Sequence, residues 1–184
     1  MEDVQILDMY FARDERAIME TQRKYANFLY TIASNIVNAE DAEECVNDTY
    51  YRAWETIPPK RPAFFRGFLG KIVRNCSLDK YRSSRAKKRG GNQMDLLLGE
   101  LTDVVNFRGD VHEEVEEKMV IRSIEEFLMG LDEENRFMFM RRYWYADSIT
   151  AISQGCRASE AKVKSALYRT RHKLREHLER EGLI

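Results

Sequence analysis

An all-α protein of two small helical domains joined by a flexible linker is the fold class this sequence predicts, and three observations carry the prediction. The 184 residues include only three prolines and nine glycines, while Leu, Ile, Met, Glu, Lys and Arg, residues that helices accept readily, run throughout. Apolar residues recur every three or four positions, and strand-like alternation is found nowhere at useful length. Charge is sorted into blocks: residues 1–57 carry 5 Lys/Arg against 12 Asp/Glu, 60–89 carry 11 against 1, 90–134 carry 3 against 13, and 135–184 carry 11 against 5. With 43% hydrophobic residues the chain can bury one modest core or two small ones, and the blocks favour two. The formal net charge of −1 conceals two basic stretches held apart by acidic ones, a pattern suited to touching a polyanion at two places.

Val4, Leu7, Tyr10 and Phe11 mark a short first helix, and Ile18, Tyr25, Phe28, Leu29, Ile32 and Ile36 a longer second one. Asn38 can cap a third, running from about Ala39 to Thr56. In it Ala42, Val46, Thr49, Tyr50, Ala53 and Ile57 share one face, while Asp41, Glu44, Asp48 and Glu55 share the other. Such an acidic stripe is either a solvated surface or the docking face for a partner with a basic surface. Pro58, Pro59 and Pro62 end the helix and force an irregular loop.

A fourth helix is expected from near Ala63, with Phe65, Phe68, Leu69, Ile72, Val73 and Cys76 inward, before it runs into Arg82, Arg85, Lys87, Lys88 and Arg89. Lys60, Arg61, Phe64 and Arg66, in or beside the loop, combine positive charge with an aromatic ring, the combination that single-stranded nucleic acid selects. The lone acid of the block, Asp79, can pair with Arg82 or Lys80.

Gly90-Gly91-Asn92 interrupts the pattern, and 90–118 reads as an acidic linker in which the Leu96-Leu97-Leu98 run could still dock. Periodicity resumes at about Met119 with Val120, Ile124, Phe127, Leu128 and Leu131. Asp132 then caps a helix with Glu133 and Glu134 in its favourable first turn, ending around Tyr143-Trp144-Tyr145. After Asp147 or Ser148, either a competent cap, come a brief helix through Gln154, a turn at Gly155-Cys156-Arg157 and a long helix opening at Ser159. Short helix, tight turn and long basic helix outline a helix-turn-helix. Val163, Leu167, Thr170, Leu174 and Leu178 fall on its inner side, Ser165, Tyr168, Arg169 and His172 on the outer, and Lys162 and Lys164 at the flanks. A face of this chemistry can reach base edges in the major groove, with Arg171 and Arg175 placed to hold phosphates.

Other function classes find little support. Cys45, Cys76 and Cys156 are odd in number and far apart, so they form neither a disulfide framework nor a Cys-x-x-Cys metal site. His112, His172 and His177 lack ligand companions, and no phosphate-loop or Ser/His/Asp cluster is present, so neither a cofactor nor enzymatic chemistry is expected. The acidic start and the absence of a membrane-length apolar run point to the reducing cytoplasm and no membrane insertion.

Taken together, three segments resemble the extracytoplasmic-function (ECF) subgroup of the sigma-70 family of bacterial RNA polymerase sigma factors, over nearly the whole chain. Residues 41–50, Asp-Ala-Glu-Glu-Cys-Val-Asn-Asp-Thr-Tyr, continuing to Ala53-Trp54, are similar to the region 2 segment that docks on the clamp coiled coil of the polymerase. Phe65-Arg66-Gly67-Phe68-Leu69, with Ile72-Val73-Arg74-Asn75, Asp79 and Arg82, resembles the helix after the loop that recognises the −10 element. Val163-Lys164-Ser165 with Leu167, Arg169, Arg171, Lys173 and Leu174 resembles the region 4 helix that reads the −35 element. The sequence departs from the family pattern at Gly155 and Arg157, where an aliphatic and a glycine are usual, at Ala161-Lys162 and at Ala166.

The resemblance implies a four-helix region 2 over 1–89, an acidic linker over 90–118 along the RNA-exit path, and a helix-turn-helix region 4 over 119–184. It implies polymerase contacts at Asp41, Glu44, Asn47, Asp48, Tyr51 and Glu55. Contacts to the −10 element fall to the 57–64 loop and to Lys60, Arg61, Phe64, Arg66, Arg82 and Arg85, and contacts to the −35 element to Lys162, Lys164, Ser165, Tyr168, Arg169, Arg171 and His172. The partners implied are core RNA polymerase, through its clamp coiled coil and flap, promoter DNA as duplex and melted strand, and an anti-sigma factor. The residues by themselves also admit a helix-turn-helix regulator that acts without polymerase, or an adaptor that uses its charged faces only to hold proteins.

Overall fold

The computed structural model describes residues 1–85, 97, 99, 100 and 114–184. The protein is all-α, with no strand among the described residues. The chain divides into two compact units, Met1–Gly90 and Gly91–Ile184.

The first unit holds α1 (Asp3–Phe11), α2 (Arg16–Ser34), α3 (Ala39–Thr56) and α4 (Phe65–Arg85). Local chemistry sets the starts of these helices. The Gln5 side chain accepts the Glu2 N–H at 3.0 Å, Asp14 accepts the Arg16 N–H at 3.0 Å, and Asn38 accepts the Asp41 N–H at 3.0 Å, each satisfying a donor that the first turn leaves open. The expected inner face of α3 is buried, from Ala42 through Val46, Thr49, Tyr50 and Ala53 to Ile57.

Aromatic rings dominate this core. Tyr10 lies between Trp54 and Phe65, with ring centroids 5.9 and 6.0 Å away, and Tyr25 meets Phe65 edge-on at 5.8 Å. Truncating the fully buried Phe65 to alanine costs about 3–5 kcal/mol on the scale of large-to-small core changes. The Tyr10 hydroxyl is paired with Thr21 at 3.0 Å, whereas that of Tyr50, also a buried residue, has no hydrogen-bond partner among the described residues.

The second unit holds α5 (Glu114–Met129), α6 (Glu133–Phe139), a π-helical turn that prolongs α6 over Met140–Trp144, α7 (Ile149–Cys156) and α8 (Glu160–Arg180). Asp132, Ser148 and Ser159 are the caps, each accepting the backbone N–H three residues on. Asp147, the other candidate before α7, is buried and pairs with Arg141 instead. Met138, Ile152, Val163, Leu167, Leu174 and Leu178 form the core, and Leu97 of the same unit is also buried.

Two observations differ from the expected 90–118 linker. Helix α5 opens at Glu114 rather than near Met119, because the acidic run before Val120 is also favourable first-turn chemistry. Leu97 is 2% exposed, and Glu100 bonds to Arg142 and Tyr143 of the same unit, so these two residues of the stretch are held in place. The remainder of 90–118, with its expected course along an RNA path, and Lys87, Lys88 and Arg89 lie outside the described residues.

Candidate nucleic-acid interface

The helix-turn-helix is built on one strained residue. Arg157, which ends α7, adopts the left-handed conformation with φ 53° and ψ 38°. This is the position where glycine is the low-cost choice, since a Cβ there crowds the backbone by about 1–2 kcal/mol. The turn is held nonetheless: Ala158 donates its N–H to Ser153 O at 3.0 Å, Ser159 caps α8, and the Thr150 hydroxyl donates to Glu160 Oε1 at 2.6 Å. The turn therefore closes with arginine at the position the departure from the family pattern left open.

Helix α8 then presents the expected division of faces. Val163, Ala166, Leu167, Thr170, Leu174 and Leu178 are buried, while Lys162, Lys164, Ser165, Tyr168, Arg169 and His172 are exposed. Burial of Ala166 accounts for a small residue there: a long basic side chain would have to leave the core. Tyr168 and His172 stack edge-on with centroids 4.4 Å apart, which stiffens two of the candidate base-contacting groups one helical turn apart. Lys162 reaches across to Glu134 at 2.6 Å, a hydrogen bond that holds its ammonium above the ordinary lysine range, and Lys164 lies 3.8 Å from Glu160. Both pairs are exposed, so a phosphate can compete for either lysine at little cost.

Arg171 is placed differently from its neighbours. Its guanidinium turns away from the exposed face to donate to the Tyr143 hydroxyl at 2.7 Å and lies 3.5 Å from Glu100. Arg175 pairs with Glu179 at 2.8 Å. The residues sequence reasoning missed are thus Glu100, Arg142 and Tyr143, which it assigned to a linker and to a helix end. The adjacency of Arg141-Arg142-Tyr143 was the available signal.

In the first unit the proline loop and the start of α4 bring Lys60, Arg61, Phe64 and Arg66 to the surface. Phe64 is 68% exposed, unusual for a side chain of that size. Its ring lies over Gly67, where an added Cβ would sit 2.4 Å from a ring carbon, so glycine makes the room for it. Arg66 stacks on Phe28 at 4.3 Å, and Arg61 stacks on Phe11 at 5.1 Å while bonding Asp8 at 2.5 Å. Arg82 is 3.5 Å from Asp79, as expected; Arg85 ends α4, and its side chain lies outside the described residues.

The acidic face of α3 is real but partly occupied. Lys80, from α4, bonds Glu44 at 2.5 Å and approaches Asp41 at 3.6 Å, and the Glu44 bond raises the lysine above its ordinary range. The Tyr51 hydroxyl donates to Glu55 at 2.7 Å. Asn47 and Asp48 are exposed, as is Tyr51 at 62%. Among the described residues no cluster of His, Cys, Asp and Glu could hold a metal, and no helix is long and apolar enough to cross a membrane.

One curated relative, "Probable RNA polymerase sigma factor RfaY" of Xanthomonas campestris pv. campestris, is 25% identical over 138 residues, which is 74% of this chain. Those residues span only 34% of that relative's own length. Among solved structures, the "Structure of CnrH in complex with the cytosolic domain of CnrY" aligns over 96% of this chain and 97% of that one, at 19% identity and a TM-score of 0.44. Residues 22–87, which take in the proline loop and the acidic helix α3, match the family model of sigma-70 region 2. The chain thus contains a segment similar to sigma-70 region 2, a part of the family whose ECF subgroup its sequence resembles.

Proposed function

We propose that this protein is an ECF-type sigma factor that binds core RNA polymerase and directs initiation at promoters carrying its −10 and −35 elements. The carrying observation is that the segment matching sigma-70 region 2 contains both an exposed acidic helix face and an exposed basic, aromatic loop. On this reading 1–89 is region 2 and 119–184 is region 4, joined by the acidic stretch that follows the RNA-exit path.

The surface of α3 around Asn47, Asp48, Tyr51 and Glu55 meets the clamp coiled coil, with Asp41 and Glu44 contributing as Lys80 exchanges partners. Lys60, Arg61, Phe64 and Arg66 take the melted −10 strand, with Arg82 and Arg85 along its backbone. Lys162, Lys164, Ser165, Tyr168, Arg169 and His172 read the −35 duplex, in the region that the polymerase flap holds. The chemistry of RNA synthesis belongs to the polymerase, and the protein acts in the cytoplasm, where an anti-sigma factor is its regulatory partner.

The test is run-off transcription with purified core polymerase and promoter fragments from the organism's own genome. Wild type is expected to start specific transcripts, and the charge reversals Asp48→Lys and Glu55→Lys to weaken core binding and abolish them. No specific transcript on any promoter refutes the reading. Tight duplex binding by the isolated protein, with transcription indifferent to both reversals, would identify a regulator that acts without polymerase.

A further inference from the structure

We propose that Arg142, Tyr143 and Arg171 form an oxyanion site that the Glu100 carboxylate fills in the free protein and a backbone phosphate of duplex DNA fills in the bound one. The proposal deepens the reading of this unit as the duplex-binding one and rests on it.

Three donors from two elements converge on one carboxylate. Arg142 donates from Nη2 to Glu100 Oε1 at 3.0 Å and from Nε to Oε2 at 3.4 Å, and the Tyr143 hydroxyl donates to Oε2 at 2.8 Å. Arg171 Nη1 lies 3.5 Å from Oε2 and donates to the Tyr143 hydroxyl oxygen at 2.7 Å. Burial by itself would push the Glu100 carboxyl up, but the bonds from Arg142 and Tyr143 and the charges of Arg142 and Arg171 outweigh it and leave the group below its ordinary range.

Arg142 and Tyr143 are consecutive residues of the π-helical turn Met140–Trp144, and both are buried, at 3% and 7% exposed. Such turns concentrate at functional sites. A guanidinium that is 3% exposed, held otherwise by Asp147 O at 3.0 Å, cannot be left without an anion, because an unpaired buried charge is strongly unfavourable. Glu100 can therefore leave only if another oxyanion takes its place, and a phosphate offers the same acceptors to a guanidinium fork and a phenol.

Position and charge identify the replacement. At 100° per residue Arg171 sits roughly 20° around α8 from Lys164 and roughly 60° from Tyr168, at the edge of the exposed face. The stretch 90–118 that supplies Glu100 carries 8 acids against 2 bases, so an approaching duplex repels the internal occupant while attracting the site. Glu100 thereby restrains duplex binding until a phosphate displaces its carboxylate.

The test uses the full chain and a short fluorescent duplex of random sequence, since phosphate contacts do not depend on sequence. Glu100→Gln, which keeps the size of the side chain and removes its charge, is expected to raise duplex affinity several-fold. It should also steepen the log-log salt slope by roughly 0.9, the value for one added phosphate contact. Adding Arg171→Gln should cancel both changes. Leu97→Asp, which undocks the segment without altering the carboxylate, should raise affinity in the same way.

In a second arm, inorganic phosphate is expected to raise the melting temperature of Glu100→Ala, whose site is empty, well above its effect on wild type. Duplex affinity and salt slope unchanged in both Glu100→Gln and Leu97→Asp overturn the proposal. Stabilisation by inorganic phosphate without a gain in duplex affinity overturns the assignment to DNA. Lys164→Ala, which removes a contact independent of sequence, is measured alongside: if it weakens duplex binding while the Glu100 variants do nothing, only the exchange fails. If Lys164→Ala is also without effect, the duplex-binding reading of the unit fails with it.

Discussion

Replacing Tyr50 with phenylalanine should stabilise the protein, although the change removes a polar group from a buried helix. Tyr50 is 6% exposed, and its hydroxyl has no hydrogen-bond partner among the described residues. A buried unsatisfied group carries a desolvation penalty of about 1–3 kcal/mol, which Tyr50→Phe removes while leaving the ring in place. For a unit of this size a gain of about 1 kcal/mol raises the melting temperature by about 4–8 °C.

The same burial raises the Tyr50 phenol to about 12. Because the folded value lies above the ordinary one, the folded state keeps its proton between about pH 10 and 12 while the unfolded chain releases it, so stability falls as pH rises through that window. Phenylalanine has no proton to lose, and the advantage of the variant should widen by about 2 kcal/mol between about pH 10 and 12. Burial also raises Tyr10, and with Asp3 it raises Tyr25, so both proteins keep an alkaline slope and only their difference reports Tyr50.

The assay is urea unfolding followed by Trp54, whose ring lies 5.9 Å from that of Tyr10, in a Trp144→Phe background at pH 7 and pH 11. A loss of more than about 1 kcal/mol at pH 7, the net worth of a made hydrogen bond, would refute the reasoning by showing that the hydroxyl is bonded after all.

Arg157→Gly should raise the stability of the second unit by about 0.5–1 kcal/mol, the left-handed strain relieved less the entropy that glycine adds to the unfolded chain; thermal melts check it, with Arg157→Ala as the control that keeps the strain. Gly67→Ala should leave the melting temperature within a few degrees, because the exposed Phe64 ring can swing aside, yet permanganate footprinting of the melted −10 region should show promoter opening reduced about as much as by Phe64→Ala. Arg169→Ala should cost about 1–3 kcal/mol of −35 duplex affinity and relax preference at one base pair. Lys164→Ala should weaken all sequences alike and flatten the salt slope by roughly 0.9; a titration series at several salt concentrations separates the two effects.

Much of the fold was legible because its causes are local. Asn38, Asp132 and Ser159 cap the helices the sequence proposes for them, since a short acceptor followed by a periodic apolar run is itself the start signal. The buried face of α8 follows from the 3.6-residue period alone. Ser148 or Asp147 could not be decided in advance, because both are competent caps; burial of Asp147 against Arg141 settles the matter. The π-helical turn was not legible, for no residue type demands it, and the run from Asp132 reads equally well as an uninterrupted helix.

Sequence alone determined the helical class, the inner and outer faces and the alternation of charge, because rotation per residue, capping and composition act over a few neighbouring positions. Only the tertiary structure decided which charges are available. Lys80 engages Glu44 and Asp41 on another helix, Arg61 reaches Asp8, and Arg171 turns from the exposed face toward Tyr143 and Glu100. Those pairings join residues tens of positions apart, and Coulomb attraction depends on separation in space, which a linear order of residues does not contain.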